Sequence, residues 1–96
     1  MKHYLICFDI QDDKVRAKLS RLLDKYGLRV QGSVFECSFK TPDRKLALEH
    51  KIKTLLKKSK YEENNVRFYN LSKESIKYCH DINGQSIAQL PAVVIL

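Results

Sequence analysis

A single carboxylate, Asp9, interrupts an apolar run, Tyr4-Leu5-Ile6-Cys7-Phe8-Asp9-Ile10, and Asp12 and Asp13 follow closely. An acid where a buried strand leaves the core is costly unless a capped amide, an ion pair or a metal ion compensates it. Mg²⁺ fits such a place, because it is held by one or two carboxylates together with water and substrate phosphate. A cation there would polarise a phosphoryl oxygen and lower the pKa of an attacking water. Asp12 and Asp13 stand just before a helix, where amide capping and the helix dipole are their natural roles. For Asp9 the residues alone leave a cap or salt bridge level with a metal site.

The remaining chemistry is basic. The 96 residues carry 18 Lys and Arg against 11 Asp and Glu, a formal net charge of +7, and the pI is about 9.4. Nucleic acid, an acidic protein surface or an anionic membrane would each suit that balance. The cations are spread over two helices and not gathered in a tail. Such a spread fits a folded surface that follows a phosphate backbone, with a merely solvated face as the plainer alternative. On the second helix Arg44, Lys45, Lys51, Lys53, Lys57 and Lys58 lie outside the apolar stripe. Their contacts would be to phosphates, blind to base sequence and weakened by salt.

Several chemistries are disfavoured. Cys7, Cys37 and Cys79 are an odd set without CxxC spacing, and His3, His50 and His80 lack ligand spacing, which argues against a disulfide framework or a zinc site. Ser33 has no His-Asp arrangement beside it, so a nucleophilic role is unsupported. Phe35 and Phe39 read as core or interface before they read as base-stacking platforms. Glu36 is either a buried partner for a base or an exposed strand residue.

The elements that position these groups follow from periodicity. A first strand over Lys2 to Asp9 is expected to be buried on both faces. A helix from Asp12 carries Val15, Leu19, Leu22, Leu23 and Tyr26 at helical spacing and is expected to end at Gly27. Leu28 to Lys40 is β-rich, as one long strand or two turning near Gln31-Gly32-Ser33, with Gly32 supplying positive φ. Thr41 and Pro42 open a second helix with Leu48, Ile52, Leu55 and Leu56 buried. Val66 to Leu71 alternates as a strand. Ser72 opens a short helix carrying Ile76 and Tyr78, and Asn83-Gly84 makes a turn. Residues 92–96 form an apolar C-terminal strand that needs a sheet edge to join.

This order is the ferredoxin-like pattern, an α+β fold whose antiparallel sheet carries both helices on one face. It divides into a 1–71 core and a 72–96 extension. The strands carry apolar residues on both sides, so a homodimer packed on the bare face is expected, with the last strand joining the partner sheet. No stretch approaches the roughly 20 residues of a membrane span. The N-terminus lacks a signal-peptide pattern, so a cytoplasmic protein is expected.

Tyr4 to Ile10 with Asp12-Asp13, Tyr26-Gly27-Leu28-Arg29-Val30-Gln31, Ser33-Val34-Phe35-Glu36-Cys37 and Val66-Arg67-Phe68-Tyr69-Asn70-Leu71 together resemble the Cas-two family of CRISPR spacer-acquisition proteins. The resemblance runs in order along nearly the whole chain up to Ser72. It implies a ferredoxin-like homodimer that holds DNA between integrase dimers of the Cas-one family, with a magnesium-dependent (Mn²⁺ also suits) endonuclease activity on RNA or double-stranded DNA. It implies Asp9 as the metal-binding and catalytic aspartate, one from each subunit. It implies that Arg16 and Arg29 are catalytic cations, and it brings Phe35 to a further position tied to activity. Phe8 stands where many members have Tyr, Gly32 replaces a larger residue, and Lys18 stands where Arg is common, keeping charge without the bidentate fork. Nucleic-acid binding is expected from Arg16, Lys18, Arg29, Lys53 and Lys57. A stand-alone toxin-like endoribonuclease and a non-catalytic bridging dimer are the alternatives.

Overall fold

The computed structural model describes residues 1–85. The elements are β1 (Lys2–Ile10), α1 (Asp13–Leu23), β2 (Gly27–Gln31), β3 (Val34–Phe39), α2 (Pro42–Leu56), β4 (Asn64–Leu71) and the short α3 (Lys73–Ile76). The sheet is antiparallel throughout, in the order β2-β3-β1-β4. This is the expected ferredoxin-like α+β arrangement. The apolar segment 92–96, expected as the last strand, lies outside the described residues.

The core lies between the sheet and the helices α1 and α2. Ile6, Phe8 and Ile10 of β1 and Phe35, Cys37 and Phe39 of β3 meet Val15, Leu19 and Leu23 of α1 and Leu48 and Ile52 of α2. Val66 and Phe68 of β4 pack at its margin. Alternation along each strand sends these side chains to one face and their neighbours to the other. That face carries the apolar core. On the other, His3 and Glu36 are buried, Leu5, Cys7 and Val34 are half-buried and Asp9 is exposed, so the second face of β1 opens toward its C-terminal end instead of being dry throughout.

Helix starts follow their capping chemistry. The Asp12 carboxylate accepts from the amides of Lys14 (3.0 Å) and Val15 (3.2 Å). Its second oxygen accepts from Lys60 N at 3.1 Å, tying the α2–β4 loop to the start of α1. Thr41 caps α2 through Arg44 N (3.3 Å), with Pro42 in the first turn, where a missing amide hydrogen costs nothing.

Two glycines do other work than their sequence context suggested. α1 ends at Leu23 with Asp24 as its C-cap, and Gly27 already belongs to β2. A Cβ there would lie 1.9 Å from the Glu36 carbonyl oxygen, so Gly27 is a close-approach residue between strands and not a helix terminator. The β2–β3 turn does fall at Gly32-Ser33, but positive φ among the described glycines is confined to Gly84, at 80°. Tight turning at Gly32 is therefore met without the left-handed backbone. Beyond β4, Ile76 of α3 is buried whereas Tyr78 is 77% exposed. The helix carries Ile76 and ends before Tyr78.

Candidate functional site

β1 and β4 together build the face opposite the helices. Cys7 pairs with Arg67 and Asp9 with Asn65, and directly opposed residues share a face. Their side chains, with Phe8 and Tyr69, line a depression of about 310 Å³. Asp9, Asn65, Arg67 and Tyr69 are all exposed. Among the described residues Asp9 makes no hydrogen bond or ion pair. A carboxylate free of partners at the end of a paired strand is held in place by its backbone and open to a ligand. The hydrogen bond to Tyr69 is the main reason that the Arg67 guanidinium is held above its already high ordinary pKa.

The other predicted cations lie elsewhere. Arg16 donates from Nη1 to the Ile10 carbonyl at 2.8 Å and from Nη2 to Asp13. It pins the corner where β1 turns into α1, immediately after Asp9, and lies outside the Asp9 depression. Arg29 sits on β2 opposite Phe35, with its guanidinium carbon 5.3 Å from that ring's centre. That is the helix-side face, two strands away from β1. Phe35 itself is wholly buried and stacks with Phe8, ring centres 6.2 Å apart, so its position supports the sheet core. A single chain therefore does not bring Asp9, Arg16 and Arg29 into one cavity.

Over the helices the surface is cationic. Lys18 lines two shallow depressions there. One, of about 420 Å³, runs between α1 and α2 past His50, Lys51 and Lys58. The other, of about 320 Å³, lies at the N-terminus of α1 with Lys14, Lys58, Lys60 and Tyr61. The acids in the second are committed: Asp12 to three amides and Asp13 to Arg16. Lys53 and Lys57 are exposed on α2 outside both depressions. Lys45 is not available in the same way, since it bonds Glu49 at 3.2 Å and lies 4.9 Å from the centre of the Tyr4 ring.

No group of three or more His, Cys, Asp or Glu side chains converges among the described residues. Cys37 is buried in the core, and burial first, then the neighbouring Glu36, pushes its thiol up to about 12. His3 is buried with its ring Nδ1 3.1 Å from Ser38 Oγ. Desolvation lowers its pKa, with the N-terminal amine and Lys73 adding to the effect. Glu36, left open by the sequence, is buried. Among the described residues no helix is long and apolar enough to cross a membrane.

The family model of CRISPR associated protein Cas2 matches residues 1–78. The chain belongs to the Cas2 family. That membership assigns it to a CRISPR system. Two Synechocystis relatives are CRISPR-associated endoribonucleases of this family. One is 35% identical over the full length of both chains, and the other is 42% identical over 97% of each. A chain of a partial Cas6-RT-Cas1–Cas2 complex superimposes with a TM-score of 0.86 at 73% identity, covering 94% of this chain and all of that one. Streptococcus pyogenes Cas2 superimposes with a TM-score of 0.70 at 27% identity over 83% of this chain and 98% of its own.

Asn65, Arg67 and Tyr69 escaped the sequence reading as site residues. Their alternate spacing in β4 was visible, but only the β1–β4 register brings that row to Asp9. Lys14 and Lys60 were missed for a similar reason. They come from separate elements that the Asp12–Lys60 bond draws together.

Proposed function

We propose that this Cas2 protein is a dimeric nucleic-acid-holding component of spacer acquisition that joins a Cas1 integrase and carries a magnesium-dependent endonuclease activity on RNA or double-stranded DNA. Its similarity to a chain of a Cas6-RT-Cas1–Cas2 complex supports the partnership. The catalytic part rests on one observation: an exposed Asp9 without a partner among the described residues, on a face that also presents Arg67.

The donor set suits a hard cation. One carboxylate per chain, with the Asn65 amide directly across the strand pair, offers oxygen ligands and leaves room for water and phosphate, as Mg²⁺ or Mn²⁺ requires. Two subunits would contribute an Asp9 each. The bound ion would supply a water of lowered pKa and a polarised phosphoryl oxygen for phosphodiester hydrolysis. The chain's own part is placement. Arg16 locks the β1–α1 corner and thereby fixes the direction in which Asp9 leaves the strand. The guanidinium has five donors, so Arg16, together with Arg29 at the β2 edge, retains donors for phosphate at the rim. Lys18, Lys53 and Lys57 extend positive charge along the helical layer, where a polyanion is held by contacts indifferent to base sequence. The dimer is favoured by the sheet's other face, where Leu28 (44% exposed) and the half-buried Leu5 flank the buried Glu36 in one cross-strand row.

The Synechocystis relatives, named as endoribonucleases, favour a second reading, an endoribonuclease that acts alone on RNA. Cleavage of RNA and of duplex DNA, with and without Mg²⁺, for wild type and Asp9→Asn separates the two. Metal-dependent cleavage lost in Asp9→Asn with DNA binding retained supports the first. Cleavage of RNA alone supports the second. No cleavage under any metal leaves the scaffold without its nuclease.

A further inference from the structure

We propose that Arg67 is the residue that binds the phosphodiester group beside Asp9, on the sheet face turned away from the helices. This rests on the reading of Asp9 as the metal-holding carboxylate and adds the phosphate ligand that the sequence had sought in Arg16 and Arg29. Those two arginines are differently employed. Arg16 is engaged with the Ile10 carbonyl and Asp13, and Arg29 lies over the Phe35 ring on the other face. Arg67 is the arginine that lines the depression containing Asp9.

The register explains why the two groups stand together without joining. Asp9 opposes Asn65, and Arg67 opposes Cys7, so Asp9 and Arg67 are diagonal neighbours, about 7–8 Å apart at the backbone and within reach of a long side chain. Among the described residues no ion pair links them. A carboxylate and a guanidinium that do not pair with each other on one exposed floor leave a gap with opposite requirements at its two sides. A cation held at the carboxylate and an anion held at the guanidinium fill that gap together, and a metal-bound phosphodiester is such a pair. Arg is suited to it because its planar fork takes two phosphate oxygens at once.

The position also fits a dimer. The row Leu28–Glu36–Leu5–Tyr69, with Glu36 buried between the two leucines, lies nearer the middle of the sheet, while Cys7–Arg67 and Asp9–Asn65 occupy the next rows toward the C-terminal end of β1. A second copy packed over Leu28, Leu5 and Tyr69 would leave the Asp9 and Arg67 rows at the edge of the contact.

The test compares wild type, Arg67→Ala, Arg67→Lys and Asp9→Asn as full-length proteins. Sedimentation velocity reads the assembly state. Fluorescence anisotropy in EDTA reads the binding of a short single-stranded RNA and of a short DNA duplex across a salt series. A cleavage assay in Mg²⁺ reads turnover. Arg67→Ala should keep the wild-type assembly, bind the preferred nucleic acid about 5- to 10-fold more weakly at low salt, and lower the slope of log K against log salt by about 1 per lost contact. Its cleavage should fall further, by about 100-fold, the scale of losing one preorganised donor to a developing negative charge. Arg67→Lys should restore most of the metal-free binding and only part of the cleavage. The RNA and DNA arms tell which polymer supplies the phosphodiester. Wild-type binding and salt slope in Arg67→Ala, or dissociation of its assembly, would overturn the proposal. Equal cleavage by wild type and Asp9→Asn would instead remove the catalytic reading of Asp9, and the metal-free binding series would still decide the role of Arg67.

Discussion

Replacing Gly27 by Ala tests whether the sheet that carries the Asp9 face depends on one close backbone approach. The new Cβ would lie 1.9 Å from the Glu36 carbonyl oxygen and 2.7 Å from Cys37 Cα, against an ordinary contact beginning at 3.4 Å. The obstructing atoms are backbone in β3, the strand next to β1, so no side chain can swing away. Strands β2 and β3 must part by about 1.5 Å at this pair, in an interior packed too tightly to absorb it. Parting them breaks the Gly27–Cys37 pairing and the neighbouring Ser38 N to Tyr26 carbonyl bond of 3.3 Å. Each backbone bond is worth about 1 kcal/mol net, and overpacking adds about 1–3 kcal/mol. A total of about 3–5 kcal/mol should lower the melting temperature by at least about 12 °C in a domain of this size. Circular dichroism melts and urea titration read it. Gly32→Ala is the matched control, because nothing lies within 4 Å of its added Cβ, and it should stay within about 0.5 kcal/mol of wild type. A Gly27→Ala protein melting within a few degrees of wild type, or no worse than Gly32→Ala, would refute the close-approach argument.

Acid should weaken the fold in two windows. His3 is held below its usual 6.5 by burial, so the unfolded chain takes the proton first. Stability is complete above pH 6.5 and declines as pH falls toward the lowered folded value; His3→Gln should flatten that part of a urea-midpoint-against-pH curve. Asp12 is held below 3.8, chiefly by the Lys60 amide and then by that of Val15. Its contribution is intact above that value and is lost as pH drops through the folded pKa, a loss that Asp12→Asn should abolish. Because burial pushes the Cys37 thiol up to about 12, iodoacetamide at pH 8 should modify Cys79 in the native protein and spare Cys37 until urea unfolds it; rapid native labelling of Cys37 would contradict its place in the core.

Much of this molecule was legible from local rules. Asp12 and Thr41 announce their helices because a side-chain oxygen beside free amides needs no tertiary partner. The alternation of Phe35, Cys37 and Phe39 marks one buried face because a strand's period is two. The order of elements follows from the same patterns, and with it the ferredoxin-like fold. Gly27 shows where such rules stop: after a helical stripe it reads as a terminator, yet the chain spends it on room between two strands.

The sequence by itself determined which residues bear charge, which segments coil or extend, and that Asp9 ends an apolar strand in a basic chain. Only the tertiary structure decided what stands next to what. The β1–β4 register, set by residues more than fifty positions apart, places Asn65, Arg67 and Tyr69 around Asp9 and leaves Arg16 and Arg29 outside. The physical reason is that register depends on fitting one buried face against the helices. Side chains on the opposite face acquire their neighbours as a consequence of that fit, and no local pattern in their own segment records it.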